Sequence, residues 1–419
     1  MKKILLLSIG ILSCLLSAKA QKSVDEQIRK LIISTITINN YYVDSVDTEK
    51  LVEDAIRGMI EKLDPHSAYS TAEQTKRLNE PLQGSFDGIG IQFNILDDTL
   101  MVIQTVTGGP SEKAGVMAGD RIISVGDTAI AGVKMPQEEI MKRLRGPRGT
   151  KAHLGIMRDG IDETIYIDVI RDKIPLNSVD AAFMVTPHTG LIRFSNFAAT
   201  TYEEVVEAIK KLKDQGMKNL ILDVTQNGGG FLQAAAEIAS ELLPKDDLIV
   251  YTQGRAIKPQ EFLSRGGNAF QDGKVIILVD EYSASAAEIL AGAVQDQDRG
   301  LVVGRRTFGK GLVQRPVDLP DGSMIRLTIA KYYTPSGRCI QKPYEKGKQQ
   351  EYRMDVINRF NHGELTNADS IHFPDSLRFQ TLKKGRTVYG GGGIMPDYFV
   401  PLDTTKNTSL YRQIVAKRI

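Results

Sequence analysis

In the stretch "VDEYSASAAEILAGA", Val279 to Ala293, two serines stand where an apolar run gives way to a helical pattern. Ser285 and Glu288 are three apart, the spacing of a capping box, in which each side chain satisfies a free backbone N–H. A serine at such a turn can also attack a carbonyl, provided that a base stands beside it. Histidine is the usual base, but His66, His153, His188, His362 and His372 all lie outside the stretch from 219 to 345. That weighs against a Ser-His-Asp triad, which would have to be assembled from distant segments. Lys310, between glycines in "GRRTFGKG", offers another base. Burial lowers a lysine's pKa by up to several units, and the neutral amine can then take the proton of a serine hydroxyl. The bland alternative is an exposed turn lysine.

A third stretch, "NGGGFLQAAAEI", puts three glycines after an apolar strand and before a helix. Such a turn either simply admits the helix or presents backbone N–H groups to an anion. With the N–H of Ala286, the residue after Ser285, it could form an oxyanion hole. "GRRTFGKG" itself only approaches a phosphate-binding loop, because Gly311 replaces the hydroxyl residue and "LVQRPVDL" reads as a strand. No His or Cys spacing suggests a metal site, and no cofactor is implied. His66, in "LDPHS", reads as a polar residue near a helix end.

These residues need a scaffold, and 419 residues suggest two to four domains. Fifty-three basic and 51 acidic residues nearly cancel, so nothing points to nucleic acid or an anionic membrane. Residues 1–20, "MKKILLLSIGILSCLLSAKA", have the basic start, apolar middle and small-residue end of a secretory signal peptide. The chain is therefore expected to be exported, to a periplasm or cell envelope or beyond the cell. After cleavage only Cys339 remains, which excludes an internal disulfide.

Residues 21–84 read as a helical region, with Ile28, Leu31, Ile32 and Ile36 on one stripe and Val52, Ala55, Ile56, Met59 and Leu63 on another. Such stripes suit packing on the core or pairing of two chains as a homo-oligomer. Residues 85–172 change to short strands and glycine turns with the helix "PQEEIMKRLRG", a small partly open barrel. From 173 to 345, strands such as "GLIRFSNF", "NLILDV", "LIVYTQG" and "VIILVD" alternate with helices. That pattern implies an α/β core with a mostly parallel sheet and helical crossovers. Residues 346–419 complete it through "YGGGGIMPDYFV", a turn feeding a last strand.

Taken together the stretches resemble the carboxyl-terminal processing peptidases, or tail-specific proteases, serine peptidases with an embedded PDZ domain. The resemblance spans nearly all of the mature chain, and its most specific part is "SASAAEILAGAVQD" followed by "VVGRRTFGKGLVQ". It implies a crotonase/Clp-protease-like core, Ser285 as nucleophile, Lys310, 25 residues on, as base, and Gln314 as the residue that orients the amine. It implies an oxyanion hole of Ala286 with Gly229 or Gly230, although Thr225 stands where the family often has arginine. "FDGIGIQF" resembles the carboxylate-binding loop of PDZ domains, with the N–H groups of Ile89, Gly90 and Ile91 receiving a terminal carboxylate and the peptide adding as a strand. The implied partners are proteins or peptides with apolar C-termini, and an adaptor or activator would fit the gating common in the family. The rival reading is a PDZ scaffold that binds peptides without cutting them.

Overall fold

The computed structural model describes residues 24–267, 269–405 and 413; the leader read at 1–20 lies outside the described residues. Among these, no helix is long and apolar enough to cross a membrane.

From residue 179 the chain runs β1 (Val179–Thr186), β2 (Thr189–Phe194), α1 (Thr201–Asp214), β3 (Asn219–Asp223), α2 (Leu232–Leu242), β4 (Leu248–Gln253), β5 (Val275–Val279), α3 (Ala286–Asp296), β6 (Leu301–Gly304), β7 (Leu312–Asp318), β8 (Met324–Tyr333) and, near its end, β9 (Tyr398–Phe399). A six-stranded sheet has the order β1-β2-β3-β5-β6-β9. All its neighbours pair in parallel except β1 with β2. The apolar runs read as buried strands thus form a parallel sheet with α1 as one crossover.

One strand goes elsewhere. "LIVYTQ", β4, was expected in the parallel sheet but belongs to a second sheet, antiparallel to both β8 and Gln260–Leu263. An apolar run specifies burial and not a partner. The partner is set by close approach: at Gly254, just after β4, a Cβ would come within 2.3 Å of the Ile329 carbonyl on β8. The second sheet also takes in β7 and the N-terminal strand Ala68–Ser70.

α3 lies between the two sheets, in contact with β4 and β6. All of its residues from Ala286 to Asp296 are buried, which its nearly unbroken apolar sequence permits. At its far end Asp296 pairs with Arg338 at 2.7 Å, both side chains fully buried. That pair fastens the helix to the segment following β8, and a buried ion pair left with one partner is strongly destabilising.

The barrel read at 85–172 has its own core, including Leu100, Ile122, Leu154 and Ile156. Its main strands run Ile91–Leu96, Thr99–Thr105, Arg121–Val125, Lys151–Met157 and Ile165–Ile170 in spatial order, so Ile91–Leu96 is an open edge. A ribbon of Ser85–Gly88 with Asp172–Pro175 leads in and out of it. The N-terminal helices, 24–41 and Thr48–Glu61, do not pack their apolar stripes on the core. Ile28, Leu31, Ile32 and Ile36 are all at least half exposed.

Candidate active site

Ser285 sits in the turn from β5 into α3 with φ 57° and ψ −112°, a conformation costly for a residue with a Cβ. Strain of this kind marks the nucleophile turns of hydrolases, where it pushes the hydroxyl out of the helix line. Glu288, on the first turn of α3, is fully buried and does more than close a capping box. Its Oε2 accepts the N–H of Ser285 and of Lys310, each at 2.8 Å. Its Oε1 accepts the Thr307 hydroxyl at 2.5 Å and the Gly309 N–H at 2.7 Å. One carboxylate therefore ties the serine turn to the lysine loop. The Tyr332 hydroxyl reinforces the tie by bonding to the carbonyls of Ser285 and Lys310. Burial pushes the Glu288 carboxyl above its ordinary value against the pull of these hydrogen bonds.

Lys310 and Ser285 line one cleft of about 390 Å³ together with Gly229, Gly230 and Gln314. Burial first, then the neighbouring charge of Arg326, holds the Lys310 amine below its usual pKa, while Glu288 and Asp64 act the other way. Its Nζ donates to Gln314 Oε1 at 3.1 Å. No hydrogen bond joins Nζ to the Ser285 hydroxyl among the described contacts, so the amine is turned to its glutamine. Such contacts are often loose without a substrate.

Gln314 owes its orientation to residues that the sequence did not single out. Its Nε2 donates to the backbone carbonyl of His66 at 2.5 Å, which leaves Oε1 for the lysine. A bulge between Val313 and Gln314 sets the side chain's direction. His66 belongs to the turn 64–67, held by the Asp64 carboxylate, which accepts from the His66 and Ser67 N–H groups and the Ser67 and Thr328 hydroxyls. Thr328 is the cross-strand partner of Gln314. The turn therefore spans that pair. The only local sign was the Asp-x-x-Ser pattern of "DPHS", a common turn former.

His66 is itself a pH reporter. Burial, followed by the charge of Lys310, lowers its pKa from 6.5 to about 4, and its Nε2 lies 2.7 Å from the Tyr352 hydroxyl. Between those values the unfolded chain carries a proton that the folded chain does not, so stability rises with pH across the interval. The contribution is complete above the unfolded value and is lost toward pH 4, by up to about 3 kcal/mol. Urea unfolding midpoints at pH 4.5 and 7 are expected to differ less in His66→Gln than in wild type.

The glycine loop faces the serine. A Cβ on Gly229 would fall 2.7 Å from that of Ser285 and 3.0 Å from the Ala286 nitrogen. Gly229 donates its N–H to Asn227 Oδ1 at 2.9 Å, whereas no partner is recorded for the N–H of Gly230 or Ala286 among the described residues. Gly230 has φ 147°, and a Cβ there would meet the Phe197 carbonyl at 2.2 Å. Thr225, in place of the family's arginine, bonds to Asp223 through its N–H and its hydroxyl at 2.9 and 2.7 Å. Ser283 does not cap α3; its hydroxyl donates to the Val224 carbonyl at 2.7 Å.

Ile89, Gly90 and Ile91 border a second, smaller groove of about 150 Å³ whose far wall is Met141 and Leu144 of helix Gln137–Leu144. Gly90 has φ 74°, and the groove follows the open edge strand. The same helix is bound by charge to helix Ala72–Gln83: Lys142 pairs with Glu73 at 3.1 Å and Glu138 with Arg77 at 2.8 Å. Leu78 and Leu82 of that second helix line the cleft of Ser285.

An α/β core that brings a strained serine and a half-buried lysine to one cleft, with an appended edge-strand groove, fits a PDZ-bearing serine peptidase. The chain belongs to peptidase family S41, among the carboxy-terminal processing proteases. The family model "Peptidase family S41" matches residues 188–349, a PDZ domain model matches 88–169, and the model "Activating protease CtpB N-terminal domain" matches 13–74. The carboxy-terminal-processing protease of Bartonella bacilliformis is 36% identical over 309 residues, 73% of this chain and 70% of the relative. The carboxy-terminal processing protease CtpB of Bacillus subtilis is 34% identical over 352 residues, 83% and 72% of the two chains. Among solved structures, the photosystem II D1 C-terminal processing protease aligns at 28% identity with a TM-score of 0.41, covering 76% of this chain and 90% of the other.

Proposed function

We propose that this protein is an exported endopeptidase that recognises the C-terminal ends of protein substrates and cleaves them through an acyl-enzyme on Ser285. The observation that carries the reading is the common cleft of Ser285 and Lys310, with both backbones held by Glu288. Neutral Lys310 takes the serine proton as Oγ attacks the scissile carbonyl. The N–H groups of Ala286 and Gly230 stabilise the resulting oxyanion, and Gly229 lets the backbone approach. The protonated lysine then returns its proton to the leaving amine, and a water repeats the sequence to release the acyl fragment. Gln314 keeps the amine in register between these steps.

In this reading the PDZ groove takes the substrate's terminal carboxylate at Ile89, Gly90 and Ile91. Its helix reports occupancy through the ion pairs to helix Ala72–Gln83, which forms part of the catalytic cleft. The exposed stripe on helix 24–41 suits a second copy or an activator.

The reading is tested with an unfolded protein substrate ending in an apolar residue. Wild type is expected to cut it and Ser285→Ala to leave it intact, while amidation of the substrate's C-terminus raises KM about tenfold. Cutting by Ser285→Ala at the wild-type rate would overturn the assignment. A KM indifferent to amidation would remove the C-terminal recognition.

A further inference from the structure

Arg326 lies on β8, and the cleft-lining residues of that strand, Met324, Arg326 and Tyr332, share one face by the two-residue period. Its guanidinium has no carboxylate partner and no recorded hydrogen bond among the described residues, and Nε is shut off from water without an acceptor. Other shielded arginines are engaged. Arg338 pairs with Asp296, Arg359 and Arg306 with Glu364, and Arg305 with Glu281. Arg299 gives its N–H groups to the carbonyls of Leu242, Gly273 and Phe270. Asp64, on the turn over Thr328, has its oxygens committed to His66, Ser67 and Thr328. A planar fork that faces a substrate cleft and finds no internal acceptor is suited to an acceptor brought from outside.

We propose that Arg326 forms a carboxylate-binding subsite of the peptidase cleft, which sets a preference for an acidic group close to the scissile bond. The inference rests on the proposed peptidase reading of this cleft. Arg326 is two residues along β8 from Thr328, the cross-strand partner of the Gln314 that holds Lys310. Two strand residues span about 7 Å, which places the carboxylate within two or three substrate residues of the bond that is cut. Away from the catalytic groups and Asn79 the wall is largely apolar, including Leu78, Leu82, Phe231 and Met324, so the flanking substrate side chains are apolar and the acidic one stands out. The carboxylate comes either from an Asp or Glu side chain or from a chain terminus, and the two sources differ in what is released. A side chain leaves endoproteolysis unchanged, whereas a bound terminus makes the enzyme trim two or three residues at a time.

The test uses fluorogenic peptides in matched pairs, Glu against Gln at each of the three positions on either side of the cleaved bond. A further pair, free acid against amide, ends three residues beyond it. Each pair gives a ratio of kcat/KM within one protein, so a change in folded fraction cancels. Wild type is expected to prefer the carboxylate about 10- to 100-fold at one position or in the terminal pair. Arg326→Gln should bring that ratio to near one, and Arg326→Lys should restore part of it. The pairs are also titrated as ligands on full-length Ser285→Ala, where the same preference is expected in Kd. Ratios near one in wild type, or a ratio that survives in Arg326→Gln, overturn the subsite. Pairs that bind Ser285→Ala with the preference but are not cut by wild type uphold the subsite and reject the peptidase reading instead.

Discussion

Lys310→Met is expected to lower kcat/KM by about 10³-fold while leaving the unfolding midpoint unchanged or slightly raised. The asymmetry follows from the environment of the amine. Burial and Arg326 already oppose its charge, so an apolar side chain of similar length suits the site at least as well. Its proposed chemistry has no evident substitute, since the imidazole of His66 bonds instead to Tyr352. The pH dependence has a definite sign. In the proposed mechanism the active form is the unprotonated amine, so the wild-type rate is expected to fall as pH drops through the Lys310 pKa, with that limb below the lysine's ordinary 10.5. Arg326→Gln should move the limb to higher pH, because one of the forces that oppose the proton is gone. Lys310→Met should abolish the limb and leave a low, flat rate. A limb unchanged in the lysine variant would assign it to another group.

Glu288→Ala is expected to destabilise the catalytic core by about 4 kcal/mol and to reduce activity below detection, even where the protein is still folded. The carboxylate accepts four hydrogen bonds, three of them from backbone N–H groups of Ser285, Gly309 and Lys310. Removing it leaves these donors unsatisfied in a site closed to water, and frees the serine turn from the lysine loop at the same time. Glu288→Gln should fare little better. Each oxygen accepts two hydrogen bonds, so an amide nitrogen in either place would face donors with a donor. Denaturant unfolding combined with kcat/KM on the folded fraction separates the two effects. A glutamine variant with wild-type stability and rate would mean that these bonds matter less than their geometry implies.

The candidate serine and lysine stood out in the sequence because their signals are local, a helix start and a glycine-flanked loop, and the glutamine came only with the family resemblance; the structure brings all three to one cleft. The sequence also carried the parallel sheet, since β3 and β5 are apolar runs joined through helices. It did not carry what long-range contacts decide. Nothing in "LIVYTQ" distinguishes a strand of the parallel sheet from one paired with β8. The contact of His66 with Gln314 joins positions 248 residues apart, and a backbone carbonyl leaves no trace in residue identity. Gly229 and Gly230 are equivalent in the sequence, and only the fold shows that Asn227 accepts the N–H of the first. Arg326 was not singled out in the sequence, and the lack of an internal acceptor is what sets it apart.

In the proposed mechanism Ser285 is a nucleophile activated by neutral Lys310. The most direct measurement is the rate at which a fluorophosphonate labels the protein, followed by peptide mapping, in wild type and Lys310→Met across pH. A single adduct on Ser285 is expected, forming faster as pH rises, with a rate in Lys310→Met that is about 10³-fold slower and no longer pH-dependent. Labelling at another residue, or Ser285 labelling at the same rate in both proteins, would contradict it.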